Sequence, residues 1–168
     1  LMFRNDSMYW LTGFETFGYV FFQTLVLDQK GNIILLTRAP DLRQAQNTSN
    51  ISDIRIWVDK NGSNPTEDLK VILDELNLKG KKIGIEYEAY GLTGRNALRL
   101  NKSLENYCSI EDTSELVTKL RVIKSNEEIN YVKKAANLAD KALSEVWKHA
   151  KAGVSESKIL AEMNKVIF

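Results

Sequence analysis

Histidine and cysteine, the side chains that most often act as nucleophiles, bases or zinc ligands, occur once each in this chain of 168 residues, as His149 and Cys108. A zinc site built on clustered histidines and cysteines needs several such ligands. A nucleophilic triad would need a nucleophile beside His149, and the chain contains no Gly-x-Ser-x-Gly motif. The sequence therefore excludes zinc sites of this kind. It predicts a structural role for His149 and a small buried apolar role for Cys108.

Pairs of nearby carboxylates are the remaining groups that are suited to acid–base chemistry. They are Glu86/Glu88, Glu111/Asp112 and Glu127/Glu128. Each pair falls at a predicted strand end, turn or helix start, where carboxylates commonly accept hydrogen bonds from free backbone N–H groups. We therefore predict capping or solvated roles for these pairs, and no catalytic or metal-binding residue in this chain.

The charge pattern argues against a polyanionic partner. Lysine and arginine number 23 against 22 acidic residues, and neither sign forms a run of five. No apolar run approaches the roughly 20 residues that a membrane span needs. The single cysteine cannot form an internal disulfide, and no signal peptide pattern is present. We expect a cytoplasmic protein that binds neither nucleic acid nor membranes.

Hydrophobic periodicity predicts alternating strands and helices. Strands are predicted at 1–3, 19–27, 32–37, 53–59, 83–86 and 107–110, with 19–27 and 32–37 forming a hairpin. Helices are predicted at 40–46, from 64 to 80, at 93–100, from 112, at 125–151 and from 155. This order predicts an α/β domain in which helices flank a mixed β-sheet.

Two helix starts are predicted by the same local pattern. Asp112 and Ser125 are each followed three residues later by a glutamate, Glu115 and Glu128, as in a capping box. After Ser125 the apolar residues recur at steps of three and four: Ile129, Val132, Ala136, Ala139, Leu143, Val146 and Ala150. This spacing predicts a long amphipathic helix with one apolar stripe. The stripe needs another part of the protein to pack against it, and without one it is exposed in this chain.

Aromatic residues are concentrated near the start of the chain. Within residues 9–22 they are Tyr9, Trp10, Phe14, Phe17, Tyr19, Phe21 and Phe22. Aromatics favour strands, so a sheet core is one interpretation; a loop that lines a pocket or an interface is the other. Gly13 and Gly18 indicate irregular backbone between strands. We hypothesise that the following side chains partly face outward: Trp10, Phe14, Phe17 and Tyr19.

Four segments resemble, in their order and spacing, the creatinase/prolidase family of Xaa-Pro dipeptidases, aminopeptidase P, creatinase and ectoine hydrolase. They are YWLTGF at 9–14, IGIE at 83–86, LRVIKS and the residues after it at 120–140, and AGVSE at 152–156. The resemblance spans almost the whole chain. It implies a small N-terminal domain with a ribonuclease-H-like motif at 1–122. It also implies that 123–168 form a linker and the first helices of a truncated "pita-bread" catalytic domain.

The resemblance implies a function without catalysis in this chain. Family members hydrolyse C–N bonds with two divalent metal ions, which carboxylates and a histidine hold in the second domain. Such ions, whether manganese, cobalt or zinc, would therefore bind beyond Phe168. What remains resembles a domain that serves dimerisation and substrate selection in a homodimer acting on a small dipeptide or amide. The proline-dipeptide, creatine-like and ectoine-like substrates stay open.

The resemblance also identifies candidate contacts. The family's N-terminal domain lends aromatic or basic residues to the partner's active-site mouth, and the matching segment here is 9–22. The candidate substrate-pocket or dimer contacts are Trp10, Phe14, Phe17, Tyr19 and Phe21. Members that bind a guanidinium-type substrate place an arginine where Phe21 aligns. Phe21 therefore favours an apolar or imino-acid substrate.

A second function class stays open at this point. The chain could be a stand-alone α/β binding or scaffold module without a catalytic half. It starts within an apolar triplet, at Leu1, and stops directly after a helical pattern, at Phe168. We therefore expect a piece of a longer protein, and the reading frame past Phe168 discriminates between the two classes.

Overall fold

A computed structural model describes all residues from Leu1 to Phe168, which form two compact units, 1–120 and 121–168. The strands are β1 Thr24–Leu27, β2 Ile33–Arg38, β3 Asp53–Trp57, β4 Lys82–Ile85 and β5 Ser109–Asp112. The α-helices are α1 Asn5–Thr12, α2 Leu42–Thr48, α3 Pro65–Glu75, α4 Gly94–Leu104, α5 Leu116–Arg121, α6 Asn126–His149 and α7 Glu156–Ile167. Two short 3₁₀-helices span Phe17–Val20 and Ala39–Asp41.

The strands form a mixed arrangement, as predicted. β1 and β2 are antiparallel, β2 and β3 are parallel, and β4 and β5 are parallel. The extended residues 1–3 join the two groups of strands. Met2 pairs with Leu25 of β1 on one side. On the other side Leu1 bonds to Gly84 of β4 and to Glu86 directly after it, with its nitrogen 2.7 Å from the Gly84 carbonyl oxygen and its own carbonyl accepting the Glu86 N–H at 3.0 Å.

Helices cover both faces of this sheet. Alternate residues of a strand point to opposite faces, so Val26 and Leu36 belong to one apolar cluster while Leu25 and Leu35 belong to the other. The first cluster includes residues of α3 and α4, and the second includes residues of α1 and α2. Each fully buried leucine contributes about 1.5 to 3 kcal/mol. The predicted α/β fold is therefore present, with one core on each face.

The predicted hairpin is present, but its first strand is shorter than expected. The Asp28 carboxylate accepts the N–H groups of Lys30 and Asn32, and Gly31 adopts a φ of 85°, which closes the turn. The strand prediction from residue 19 is wrong, because β1 begins only at Thr24 and Phe17–Val20 form a 3₁₀-helix. The hydroxyl of Thr16 accepts the Gly18 N–H at 2.7 Å, which favours a helical turn over a strand.

Helix α1 was not predicted from the sequence, where 5–7 resembles a turn cluster. Its N-terminus is stabilised by a residue far along the chain. The buried carboxylate of Glu86 accepts the backbone N–H groups of Phe3 and Arg4 and the hydroxyl of Ser7, at 3.0, 3.1 and 2.6 Å. These bonds satisfy donors that a helix start otherwise leaves free. A local pattern could not show a partner nearly eighty residues away.

Of the two predicted capping boxes, one is correct. Ser125 and Glu128 bond reciprocally, at 3.2 Å from Glu128 N to Ser125 Oγ and 2.7 Å from Ser125 N to Glu128 Oε2. The box at Asp112 is wrong. Asp112 is the last residue of β5, and its carboxylate accepts the N–H and hydroxyl of Ser114 instead. Helix α5 consequently starts later, at Leu116.

The second unit consists of α6 and α7. They pack against each other, and α6 has 24 residues. Only Ala142 of α6 is buried, whereas Ile129, Val132 and Leu143 of the predicted apolar stripe are exposed. Most of the stripe is therefore exposed, and Val146 is half-buried. None of the helices has the combination of length and apolarity that a membrane crossing requires.

Candidate functional site

Four of the five candidate contact residues are accessible at the surface. Trp10 lies on α1, and Phe17, Tyr19 and Phe21 lie in or directly after the following 3₁₀-helix. Phe17 is 90% exposed, and the other three are between 39% and 42% exposed. The stretch Phe17–Phe21 is called the aromatic loop below. It is the part of the predicted segment that meets solvent.

The expectation that Phe14 faces outward is wrong. Phe14 is 0% exposed and belongs to the core cluster beneath β1 and β2, together with Met8 and Leu25. Gly13 ends α1 in the left-handed conformation, at a φ of 79°, and the chain turns inward after it. An added Cβ at Gly13 would lie 2.8 Å from the Thr48 carbonyl oxygen. Phe14 is therefore a core residue beside the loop.

A buried polar network holds the aromatic loop from below. The Thr16 hydroxyl donates to Asp41 Oδ1 at 3.0 Å, and Arg38 Nη2 donates to Asp41 Oδ2 at 3.2 Å. The Arg38 and Asp41 side chains are only 15% and 8% exposed. Because the pair is largely desolvated, the loss of either partner would leave an uncompensated buried charge. The loop is thus tied to the end of β2.

The same arginine contacts the loop directly. The guanidinium carbon of Arg38 lies 3.4 Å from the centroid of the Phe21 ring, a cation–π contact. The contact occupies one face of the ring, and Phe21 remains 42% exposed. Phe21 is therefore held in place at the surface.

Two glycines allow the backbone of the loop to pack closely. A Cβ at Gly18 would lie 2.4 Å from Asp41 Oδ1, and one at Gly91 would lie 2.3 Å from the Phe21 carbonyl oxygen. Further contacts fix the neighbouring groups. Trp57 Nε1 donates to the Phe22 carbonyl at 2.9 Å. A larger residue at Gly91 would push against the loop backbone, and one at Gly18 would push against the Asp41 carboxylate.

The ordered loop presents several exposed apolar side chains. The Tyr19 and Tyr90 rings meet edge to face, with centroids 5.9 Å apart. Val20 and Tyr90 are also exposed, and sequence reasoning did not identify either as part of the site. Tyr90 gave no signal, because it lies about seventy positions from the loop and no pattern links it to the aromatic segment. The exposed set is called the aromatic face below and comprises Phe17, Tyr19, Val20, Phe21 and Tyr90.

A cavity of about 650 Å³ opens beside Tyr19 and Tyr90. Arg4, Asp6 and Glu88 contribute charged groups to its lining. The guanidinium of Arg4 donates to Thr118 Oγ1 at 3.1 Å, so that it is held at the rim. The aromatic face therefore borders a space large enough for part of a small peptide.

The groups suited to chemistry occupy structural positions. Nδ1 of His149 lies 3.0 Å from the Glu145 carbonyl oxygen at the end of α6. Burial raises the pKa of the Cys108 thiol, which lowers the thiolate fraction at neutral pH. Glu111 forms an ion pair with Lys82, and Glu128 caps α6.

No three His, Cys, Asp or Glu side chains come together as a possible metal site. Glu86, Asp28 and Glu75 instead serve a helix start, a turn and an ion pair. The residues of this chain therefore do not fit a two-metal centre.

Comparison with known proteins agrees with this architecture. A family model described as the Creatinase/Prolidase N-terminal domain matches residues 1–123. The chain is 27% identical over 159 residues to an uncharacterized hydrolase/peptidase, y4tM, of Sinorhizobium fredii, covering 90% of this chain and 40% of that protein. It is 25% identical over 159 residues to a putative dipeptidase, YkvY, of Bacillus subtilis, covering 95% and 42%.

Solved structures show the same fold. An X-Pro aminopeptidase from Thermotoga maritima superposes with a TM-score of 0.71 at 19% identity, covering 99% of this chain and 45% of that one. The chain thus spans about 40% of the length of the curated relatives that it matches. The predicted mixed α/β fold and the resemblance are both confirmed, and the chain belongs to the creatinase/prolidase N-terminal domain family.

Proposed function

We propose that this chain is the non-catalytic N-terminal part of a longer metal-dependent C–N hydrolase, in which it serves dimerisation and substrate selection. The observation that carries the proposal is the aromatic face, because it combines exposure with a fixed conformation. Phe17 is 90% exposed on a loop whose backbone is held by Thr16, Gly18 and Asp41. A rigid aromatic anchor loses little conformational entropy on association.

The energetics support an interface at this position. Apolar surface left in water costs about 25 cal/mol per Å², so the five exposed apolar side chains of the aromatic face gain from a partner surface. Aromatic residues are enriched at protein interfaces and dominate their hot spots. The proposed partner is a second copy of the chain, as in a homodimer.

The proposed substrate is a small dipeptide or amide with an apolar or imino-acid part. Phe21 and Tyr19 would form one wall of the neighbouring subunit's pocket. The charge of Arg38 behind Phe21 is already compensated by Asp41, so this wall is predominantly apolar. The relatives named as peptidases agree with an amide-cleaving parent.

The catalytic metals belong outside this chain in the proposal. Two-metal hydrolysis needs a compact set of ligands that holds both ions, and residues 1–168 contain no group of three that could start one. Manganese, cobalt or zinc would then be bound by residues beyond Phe168. We also propose a cytoplasmic location, on the basis of the single cysteine.

The test uses the full-length protein with Phe17→Ser and a matched control, Leu98→Ser. Leu98 is also a largely exposed apolar residue, at 74%, and lies on α4 outside the aromatic face. Phe17→Ser should raise the Michaelis constant for Xaa-Pro dipeptides severalfold, whereas Leu98→Ser should leave it unchanged. Equal kinetics in both variants and the wild type would contradict the role in substrate selection.

The alternative is a stand-alone α/β binding or scaffold module that presents the same face to another protein. The reading frame past Phe168 separates the two proposals. Downstream carboxylates and a histidine at metal-ligand spacing support the hydrolase. A stop codon directly after Phe168 supports the module.

A further inference from the structure

A second cavity, of about 470 Å³, is lined in part by Phe21. Its wall is formed by the aromatic loop, by the turn between β3 and α3, and by the first turns of α4. The cavity lies wholly within residues 1–120. We call it the basic cavity, after the three cations that line it: Lys60, Arg95 and Arg99.

The charges of this lining are unbalanced. Three cations face one carboxylate, that of Asp59, in a chain whose net charge is only +1. None of these cations has a carboxylate within ion-pair distance, whereas Arg38 and Arg55 each form an ion pair elsewhere in the same domain. Cations gathered without counter-charges repel one another. An anionic ligand would relieve that repulsion.

Two of the cations stand on one helix at a spacing that points them the same way. Arg95 and Arg99 are four residues apart on α4, so they lie on the same helix face. Arg99 Nη1 lies 3.5 Å from the Ser63 carbonyl oxygen, which positions its guanidinium at the wall. Guanidinium groups bind carboxylate and phosphate oxygens through paired hydrogen bonds. The geometry therefore suits an oxyanion.

Part of the wall is apolar, beside the polar residues Asn61, Ser63, Thr93 and Asn96. Trp57 is buried, and its only polar atom is already bonded to the Phe22 carbonyl, so its ring offers apolar contact. Phe21 and Pro65 add further apolar surface. A lone inorganic anion would leave this part of the cavity unfilled. A ligand that also has an apolar body would fill it.

We propose that the basic cavity binds a small organic anion, in which a carboxylate or phosphate group contacts Arg95, Arg99 and Lys60 while an apolar body packs on Trp57 and Phe21. The site is formed by this chain alone. Binding therefore depends neither on a second subunit nor on a catalytic domain.

The test is a titration of the 168-residue chain followed by ¹H–¹⁵N correlation spectra. The probes are N-acetylphenylalanine, phenyl phosphate and the neutral N-acetylphenylalaninamide. Either acid should produce saturable shifts at the Trp57 indole and at Gly62 and Asn96, which line the cavity. The neutral amide should bind at least about tenfold more weakly, because it cannot make charge-assisted hydrogen bonds. Equal binding of the amide, or no saturable shift with either acid, would overturn the proposal.

Variants test whether the cations of the basic cavity are needed for binding. The double variant Arg95→Ala/Arg99→Ala should bind at least about tenfold more weakly to whichever acid gives saturable shifts with the wild type. Lys102→Ala removes one positive charge from the same helix outside the cavity and should change the affinity less than about twofold. If the double variant does not fold, Arg95→Ala and Lys60→Ala, each alone, should each weaken binding more than Lys102→Ala. Binding that matches the wild type in the folded variants would overturn the proposal.

Discussion

The guanidinium of Arg38 stacks on the Phe21 ring at 3.4 Å while its Nη2 bonds Asp41 at 3.2 Å. One side chain thus joins the exposed end of the aromatic loop to a buried carboxylate. Asp41 in turn accepts the hydroxyl of Thr16, which caps the start of the loop. The loop is therefore anchored at both ends by one network.

Removing Arg38 should destabilise the domain and release the loop. Arg38→Ala leaves the Asp41 carboxylate, which is 8% exposed, without its cation. We expect a loss of about 3 kcal/mol in the free energy of unfolding, measured in urea. Arg43→Ala, an exposed arginine on α2, is the control and should change it by less than about 0.5 kcal/mol. Equal effects of the two changes would show that the network contributes no stability.

Phe14, just before the loop, and Phe17, its first residue, should differ greatly in their response to truncation. Phe14→Ala removes a fully buried ring and should cost about 3 to 5 kcal/mol. Phe17→Ala removes a ring that is 90% exposed and should cost less than about 0.5 kcal/mol. Urea unfolding of both variants measures the difference. A large loss for Phe17→Ala in a monomer would mean that this ring belongs to the core.

Glu86 should be sensitive to the loss of its oxygens more than to the loss of its charge. Glu86→Ala leaves the N–H groups of Phe3 and Arg4 buried without acceptors, which should cost about 3 kcal/mol. Glu86→Gln keeps an oxygen for these donors, and its amide N–H can donate to the Ser7 hydroxyl. We expect a cost of about 1 kcal/mol for this change. Denaturant unfolding that ranks glutamine as low as alanine would contradict the capping role.

Asp112 should contribute stability that is lost in acid. Hydrogen bonds from the hydroxyl and N–H of Ser114 hold the pKa of Asp112 below its ordinary value of 3.8. Because the folded-state pKa is the lower one, the contribution is complete above that ordinary value and declines as the pH falls through the folded pKa. Asp112→Asn should therefore lower the urea midpoint at pH 7 and have a smaller effect at pH 3. An effect that is independent of pH would contradict this linkage.

Several elements of the fold could be predicted because their sequence signals are local. The hairpin follows from the turn at 28–31, α3 from Pro65 at its first position, and α6 from the capping box at Ser125. In each case neighbouring residues supply the hydrogen bonds or the backbone angles. The local sequence therefore accounts for the formation of the hairpin, α3 and α6.

The missed features depend on residues that are distant in the chain. Helix α1 depends on Glu86, the close packing of Phe21 depends on Gly91, and the aromatic face includes Tyr90. Periodicity also could not separate Phe14 from Phe17, because the turn at Gly13 decides which ring is buried. The sequence thus predicted the segment that contains the candidate site. The arrangement of its side chains could be determined only from the fold.

The mass of the full-length protein in solution tests the proposed interface most directly. Light scattering after size-exclusion chromatography at micromolar concentration should give a dimer for the wild type and for Leu98→Ser. Phe17→Ser should shift the protein towards the monomer, because it removes the most exposed ring of the aromatic face. A monomeric wild type, or a Phe17→Ser dimer that is as stable as the wild type, would contradict the account.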